Sequence, residues 1–343
     1  MEVIINTMNK NKKTPVADES KEFLNAVEKL CHDMTAVHKT ISNYIFGQNK
    51  VIEETLVTLL AGGHLLLIGV PGLGKTRLVE TLATVFGMNT RRVQFTPDLM
   101  PADILGSEVL EESNSGRRSF RFIQGPVFCQ ILMADEINRA SPRTQSALLQ
   151  AMQEKQVSVA GEYHDLPAPF HVLATQNPLE QEGTYPLPEA QLDRFFMQVN
   201  VEYPDFSAER DMLISTTGSE VTKPQGAMAP NDLIAGQNLV RRIPVGEKVA
   251  DGILNLVRAG RPETSELKSI RNHVSWGPGP RASQALMLGA RARAIIGGRL
   301  APSIDDVVSL AHPILRHRMA LNFAARAEGV TLTSIIDSLC ERI

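Results

Sequence analysis

Eight consecutive residues, GVPGLGKT at positions 69–76, have the types and spacing needed to hold phosphate. They match in full the pattern G-x-x-x-x-G-K-[ST]. Gly72 and Gly74 permit backbone conformations that turn successive N–H groups inward, making a nest for an anion. A helix starting at the end of the loop would add its unpaired N–H groups and positive dipole end. Gly69, Pro71, Gly72, Leu73, Gly74, Lys75, Thr76 and Arg77 are therefore expected around a nucleoside triphosphate. Lys75 would reach the β- and γ-phosphates, and the Thr76 hydroxyl would hold Mg²⁺. Such a loop serves kinases, GTPases and transporter ATPases alike, so the reaction has to be read from other residues.

An apolar run at 128–134 ends in Asp135-Glu136. Asp135 would hold Mg²⁺ through water alongside Thr76, and Glu136 would polarise an attacking water as general base. Two solvated carboxylates at a strand end are the alternative, and the phosphate loop upstream argues against it. Asn177, in ATQNP after another apolar run, has the chemistry to orient the attacking water or sense the γ-phosphate, although Asn-Pro turns are common. Arg194, in LPEAQLDRF, is a candidate arginine finger that would stabilise transition-state charge from a neighbouring subunit. On sequence spacing alone, a local ion pair with Asp193 or Glu189 is the favoured role for it. Arg281 opens a helix-like run after GPGP, where its guanidinium could face the γ-phosphate.

These residues need a scaffold, and the apolar pattern supplies one. Residues 64–70 are apolar throughout, apart from His64 and Gly69, as suits a strand covered on both faces of a parallel sheet. Residues 91–95, 128–134, 170–175 and 196–201 read as four more strands. Helical spacing at 76–86 and 142–152 separates them, and Ser141-Pro142 gives an N-cap followed by proline in the first turn. Upstream, Phe23, Val27, Leu30, Met34, Val37, Ile41 and Ile45 recur every three or four residues in an amphipathic helix. Two inserted hairpins are expected, one around Asn114-Ser115-Gly116 and one around Ala160-Gly161. After Tyr203-Pro204 the strands stop and helical runs take over, with residues 217–236 as an exposed connection. The fold class is α/β: a phosphate-loop parallel sheet sandwiched by helices and followed by an all-α domain. The expected divisions are a mobile tail at 1–18, the nucleotide domain at 19–204 and the helical domain at 205–343.

The bulk properties narrow the function. The chain has 343 residues, 43% hydrophobic and 21% charged, an ordinary globular balance. A net charge of −3 gives the whole chain no electrostatic reason to bind nucleic acid or an anionic membrane. Cys31, Cys129 and Cys340 lack metal-ligand spacing and fit a reducing compartment, so a cytoplasmic location is expected. The most apolar stretch, 56–70, is broken by Gly62, Gly63 and His64 and is too short to span a membrane.

GVPGLGKT, LMADEINRASPRTQSALLQAMQE, LATQNP, LPEAQLDRF and GPGPRA, in that order, resemble the MoxR family of AAA+ ATPases. The resemblance covers roughly residues 40–340. It implies a ring, usually a hexamer, with ATP and Mg²⁺ at subunit interfaces. It makes residues 69–76 Walker A, Asp135 and Glu136 Walker B, Asn177 sensor 1, Arg194 the arginine finger and Arg281 the sensor 2 arginine. The two hairpins correspond to the helix-2 insert and pre-sensor-1 hairpin of the branch that also holds magnesium chelatase subunits and replicative helicases. Phe46, Gly47 and Gln48 fall where such proteins contact adenine; a helix-breaking turn is the equal alternative. The implied activity is chaperone-like remodelling of partner proteins, with von Willebrand factor A domain proteins as clients. A nucleic-acid motor would want basic hairpins. Arg117, Arg118 and Arg121 keep that reading open, and Glu162 and Asp165 on the second hairpin argue against a DNA track. A scaffold with little turnover is a third reading, weakened by the complete hydrolytic set.

Overall fold

The computed structural model describes residues 15–112, 118–180, 183–217 and 224–343, with side chains from Lys21 onward. The first hairpin's expected turn at 114–116 and Arg117 lie outside the described residues. So do the first fourteen residues of the expected tail; its last residues are helical, because α1 (Pro15–Ser42) starts at Pro15. Proline suits that place, since a helix's first N–H groups have no intrahelical partner.

The chain continues through α2 (Asn49–Leu60), β1 (Leu65–Ile68), α3 (Lys75–Val85), β2 (Thr90–Gln94) and α4 (Pro101–Leu105). A hairpin of β3 (Gly106–Glu112) and β4 (Arg118–Gln124) follows, then β5 (Ile131–Asp135) and α5 (Pro142–Glu154). A second hairpin, β6 (Gln156–Val159) and β7 (Glu162–Asp165), precedes β8 (His171–Gln176), α6 (Glu189–Leu192) and β9 (Met197–Asn200). Beyond these come α7 (Phe206–Thr217), α8 (Pro230–Arg242), α9 (Glu247–Ala259) and α10 (Lys268–His273). The chain ends with β10 (Val274–Trp276), α11 (Pro280–Ile296), α12 (Ile304–Leu315), β11 (Ala320–Leu321), α13 (Phe323–Ala327) and α14 (Leu332–Cys340).

Five strands form one parallel sheet in the order β2-β5-β8-β1-β9. The inner strands β1 and β5 are apolar at successive positions because both faces are covered. Leu65 and Leu67 of β1 and Ile131 and Met133 of β5 enter one core, with α1, α2 and α3. Their neighbours Leu66, Leu132 and Ala134 enter a second core, with Leu148, Leu149 and Met152 of α5. This is the two-residue alternation of a pleated strand.

The first core does not stop at the sheet. Val240 of α8, Leu286 of α11 and Ile314 of α12 belong to it with Leu30 of α1 and Leu60 of α2. At Gly236 of α8, a Cβ would stand 3.0 Å from Leu30 and 3.1 Å from Leu60, so the glycine gives α8 a close approach without displacing either leucine. The helical region is thus packed on the back of the sheet. The expected connection at 217–236 was too long: α8 begins at Pro230, a residue that punctuates loops and opens helices with equal ease.

One buried arginine fastens this packing to the sheet. Arg318, just beyond α12, is 2% exposed, and burial pulls its pKa down. It donates to Asp193 Oδ1 at 2.7 Å and to the carbonyls of Phe195 (2.7 Å), Phe196 (3.1 Å), Ile314 (2.7 Å) and Asp193 (3.4 Å). All five guanidinium donors are used. Replacing Arg318 by Met would leave those carbonyls and part of the Asp193 charge without a partner, a loss of about 3 kcal/mol. The melting temperature is expected to fall by roughly 5 °C or more. A melting curve that superimposes on the wild type would show that the staple contributes nothing.

Candidate nucleotide site

The carboxyl ends of β1, β5 and β8 open into a cleft of about 900 Å³. In parallel α/β sheets this is where ligands bind, at the edge where strand order reverses. The cleft is lined by Pro71, Gly72, Leu73, Gly74, Lys75, Thr76 and Arg77, with Asp135, Glu136 and Asn177 across from them. Gly72 and Gly74 have φ of +85° and +76°, and a Cβ on either would meet nothing within 4 Å. The loop is a cradle held open on its concave side. Gly74 is the left-handed residue from which α3 starts, so the N-terminus of that helix faces the cleft. Lys75 Nζ donates to the carbonyls of Gly69 (2.7 Å) and Val70 (2.8 Å). Burial lowers its pKa, and the charges of Asp135 and Glu136 oppose that shift.

The carboxylates opposite are held by residues the sequence did not single out. Asp135 Oδ1 accepts from the Thr175 hydroxyl at 2.5 Å, and Oδ2 accepts from Arg92 Nη2 (2.6 Å) and Nε (3.2 Å). Glu136 follows in a left-handed conformation, φ +56°, uncommon for a residue with a side chain. Its N–H donates to Thr175 Oγ1 at 2.9 Å, so one threonine fixes both acidic residues. Glu136 Oε2 accepts from Gln94 Nε2 (2.6 Å) and Arg139 Nη1 (3.2 Å). Arg92 and Gln94 stand two apart on β2 and so share a face. The signal was present in that spacing: two long polar residues alternating on a strand that flanks the Asp-Glu pair.

Three expectations about position need revision. Phe46, Gly47 and Gln48 do not line the cleft; Tyr44 does. The turn after α1 is used structurally instead: Gln48 Nε2 donates to Glu202 O at 2.6 Å, and Gly47 packs against Pro204 and Ala208. Gly69 contributes its carbonyl to Lys75 rather than a wall of the cleft. Arg281 does not face the cleft. It lies with Arg194 in a separate hollow of about 250 Å³, lined also by Gly62, Gly63 and His64.

Gly62 and Gly63 precede β1, whereas the phosphate loop follows it. The six residue steps from Gly63 to Gly69 span on the order of 20 Å in extended chain. Arg194 and the cleft of the same molecule therefore lie at opposite ends of β1. The ion pair foreseen between Arg194 and Asp193 does not form. Asp193 is taken by Arg318 and by Arg281 Nη1 at 3.5 Å. Among the described residues, the Arg194 guanidinium has no hydrogen-bond or ion-pair partner.

Comparison with known proteins agrees with this geometry. Residues 64–197 match the ATPase family associated with various cellular activities (AAA), and residues 268–339 match the AAA lid domain. Chaperone MoxR1 of Mycobacterium tuberculosis is 40% identical over 306 residues, 88% of this chain and 80% of that protein. The chain belongs to the MoxR family of AAA+ ATPases. Protein MoxR of Paracoccus denitrificans is 30% identical over 320 residues, 87% of this chain and 92% of that one. A crystal structure from Cytophaga hutchinsonii superimposes with a TM-score of 0.88 at 36% identity, covering 95% of this chain and 98% of that chain. In this MoxR-family chain the expected parallel sheet with flanking helices and a helical lid is the observed fold. No helix among the described residues is long and apolar enough to cross a membrane.

Proposed function

We propose that this MoxR-family chain hydrolyses ATP with Mg²⁺ in a closed ring, six subunits being the expected number, and that each site is completed by the next subunit. The observation that carries this reading is the separation of Arg194 from its own cleft, with its guanidinium unpaired among the described residues and Arg281 beside it. A finger that cannot reach its own nucleotide has work only at a neighbour's. Head-to-tail contacts of that kind generate rings when the rotation closes.

Within one subunit, Gly72, Gly74 and the start of α3 hold the phosphates, and Lys75 leaves the loop carbonyls for the β- and γ-phosphate oxygens. Thr76 and Asp135 are the residues that would hold Mg²⁺. Among the described residues, no cluster of three or more His, Cys, Asp or Glu could bind a metal, which fits an ion that shares phosphate oxygens as ligands. Bound there, Mg²⁺ would offset charge on the β- and γ-phosphates. Glu136 takes a proton from the attacking water, Asn177 orients that water, and Arg194 and Arg281 of the adjacent subunit meet the charge that develops. This assigns Arg281 a role in trans.

The work done with this energy is remodelling of proteins, in line with the relative named a chaperone, and von Willebrand factor A domain proteins are the proposed clients. The hairpins favour protein over DNA. Arg118 and Arg121 are paired with Glu112 (3.1 Å) and Glu111 (3.1 Å) across the first hairpin, so among its described residues both arginines have a carboxylate partner. Phe120 is 70% exposed and Tyr163, on the second hairpin, 69%, with Leu110 and Ile123 about half exposed, an apolar surface suited to gripping a chain. The free thiols Cys31, Cys129 and Cys340 support a cytoplasmic setting. ATP turnover per subunit is expected to rise with protein concentration and then level off as rings fill. Turnover per subunit that is flat over three decades of dilution would show a self-sufficient subunit.

A further inference from the structure

Arg92 has no part in the scheme above, although its side chain lies in the cleft. Both of its hydrogen bonds to Asp135 end on the same oxygen, Oδ2, at 2.6 and 3.2 Å. An oxygen with two lone pairs is filled by two donors. Oδ1 is already engaged by Thr175. A Mg²⁺ held by Asp135, directly or through water, takes the one acceptor position left on Oδ1 or displaces the guanidinium from Oδ2. It also repels the guanidinium, because two cations cannot share one largely buried carboxylate at low cost. Arg92 then needs another anion. Its side chain is 54% exposed. Gln94 Oε1 already accepts from Arg92 Nη2 at 3.4 Å but carries no charge, and Glu136 Oε2 is held by Gln94 and Arg139. The anion that arrives with Mg²⁺ is the terminal phosphate, which lies between Lys75 and Glu136 on the reading above.

We propose that Arg92 is a γ-phosphate-binding residue that acts in cis and exchanges Asp135 for a phosphate oxygen when Asp135 turns to Mg²⁺. This rests on the ATPase assignment. It gives each site an arginine of its own besides those lent by the neighbour, and it couples metal capture to recognition of the third phosphate. A purely structural Arg92–Asp135 pair would treat ATP and ADP alike.

The test is displacement of a fluorescent ADP analogue by the β,γ-imido analogue of ATP and by ADP, in excess Mg²⁺ and in EDTA. Wild type, Arg92→Ala and Arg92→Lys are compared. In Mg²⁺, Arg92→Ala is expected to weaken the imido analogue about tenfold or more and ADP by about twofold or less, with Arg92→Lys between. In EDTA the wild-type arginine stays on Asp135, so the loss for the imido analogue should shrink to about threefold or less. Retained ADP binding shows that the variant is folded. Equal losses for both nucleotides, or no loss for either, would overturn the proposal. A selective loss undiminished in EDTA would overturn the exchange. If the wild type bound neither nucleotide, the ATPase assignment itself would fail, and this proposal with it.

Discussion

Glu136→Gln is expected to lower ATP turnover at least a hundredfold while nucleotide affinity stays within a few-fold of wild type. The side chain sits at the end of β5, one residue past Asp135, with its backbone locked by Thr175. Gln keeps the size of the side chain and can still meet Arg139 through its amide oxygen. The amide cannot take a proton from water, so the change removes the base and little else. The left-handed backbone at this position, φ +56°, is a constraint that Glu and Gln meet equally. Single-turnover hydrolysis, with nucleotide binding measured in parallel, separates the chemical step from affinity. Turnover within tenfold of wild type would mean that another group activates the water.

Arg194→Ala is expected to have the larger effect, about a thousandfold loss of turnover, in the range seen when arginine fingers are removed. Nucleotide affinity of the isolated subunit should not change, because Arg194 is remote from the cleft of its own chain. The loss should also occur without unfolding. Arg194 is only half-buried and its guanidinium holds nothing in place, whereas its neighbour Asp193 anchors the segment through Arg318. The finger is thus mounted on a rigid base and left free at its tip. A nucleotide Kd that worsened with the same substitution in monomeric protein would place Arg194 at its own site and contradict the geometry.

The cleft was legible in the sequence because its parts are local. Residues 69–76 form their cradle by glycine φ angles and a helix start within one turn of chain, and Asp135-Glu136 end a strand whose five residues are all buried. The sheet was legible because unbroken apolar runs have few other homes. What depended on contacts between distant segments was not legible. Arg194 and Asp193 are adjacent in sequence, but Arg318, some 125 residues away, takes the aspartate. Arg318 gave no signal: Arg316-His317-Arg318 after the apolar run of α12 looks like a solvated helix end. The place of Arg281 was missed for a related reason. A helix start after GPGP was read correctly, but which end of the sheet it meets is set by the packing of α11 on α1 and α2. Phe46 to Gln48 were assigned by likeness alone, and the turn they form points its glycine at Pro204 and Ala208 instead.

The most direct test of the shared site mixes two inactive variants. Glu136→Gln lacks the base and keeps the finger; Arg194→Ala lacks the finger and keeps the base. If the finger acts across a head-to-tail contact, a mixed ring contains sites with Glu136 on one subunit and Arg194 on the next. An equimolar mixture should then recover roughly a quarter of wild-type turnover under random assembly. A mixture as inactive as its two components, under conditions in which the variants co-assemble, would contradict the account.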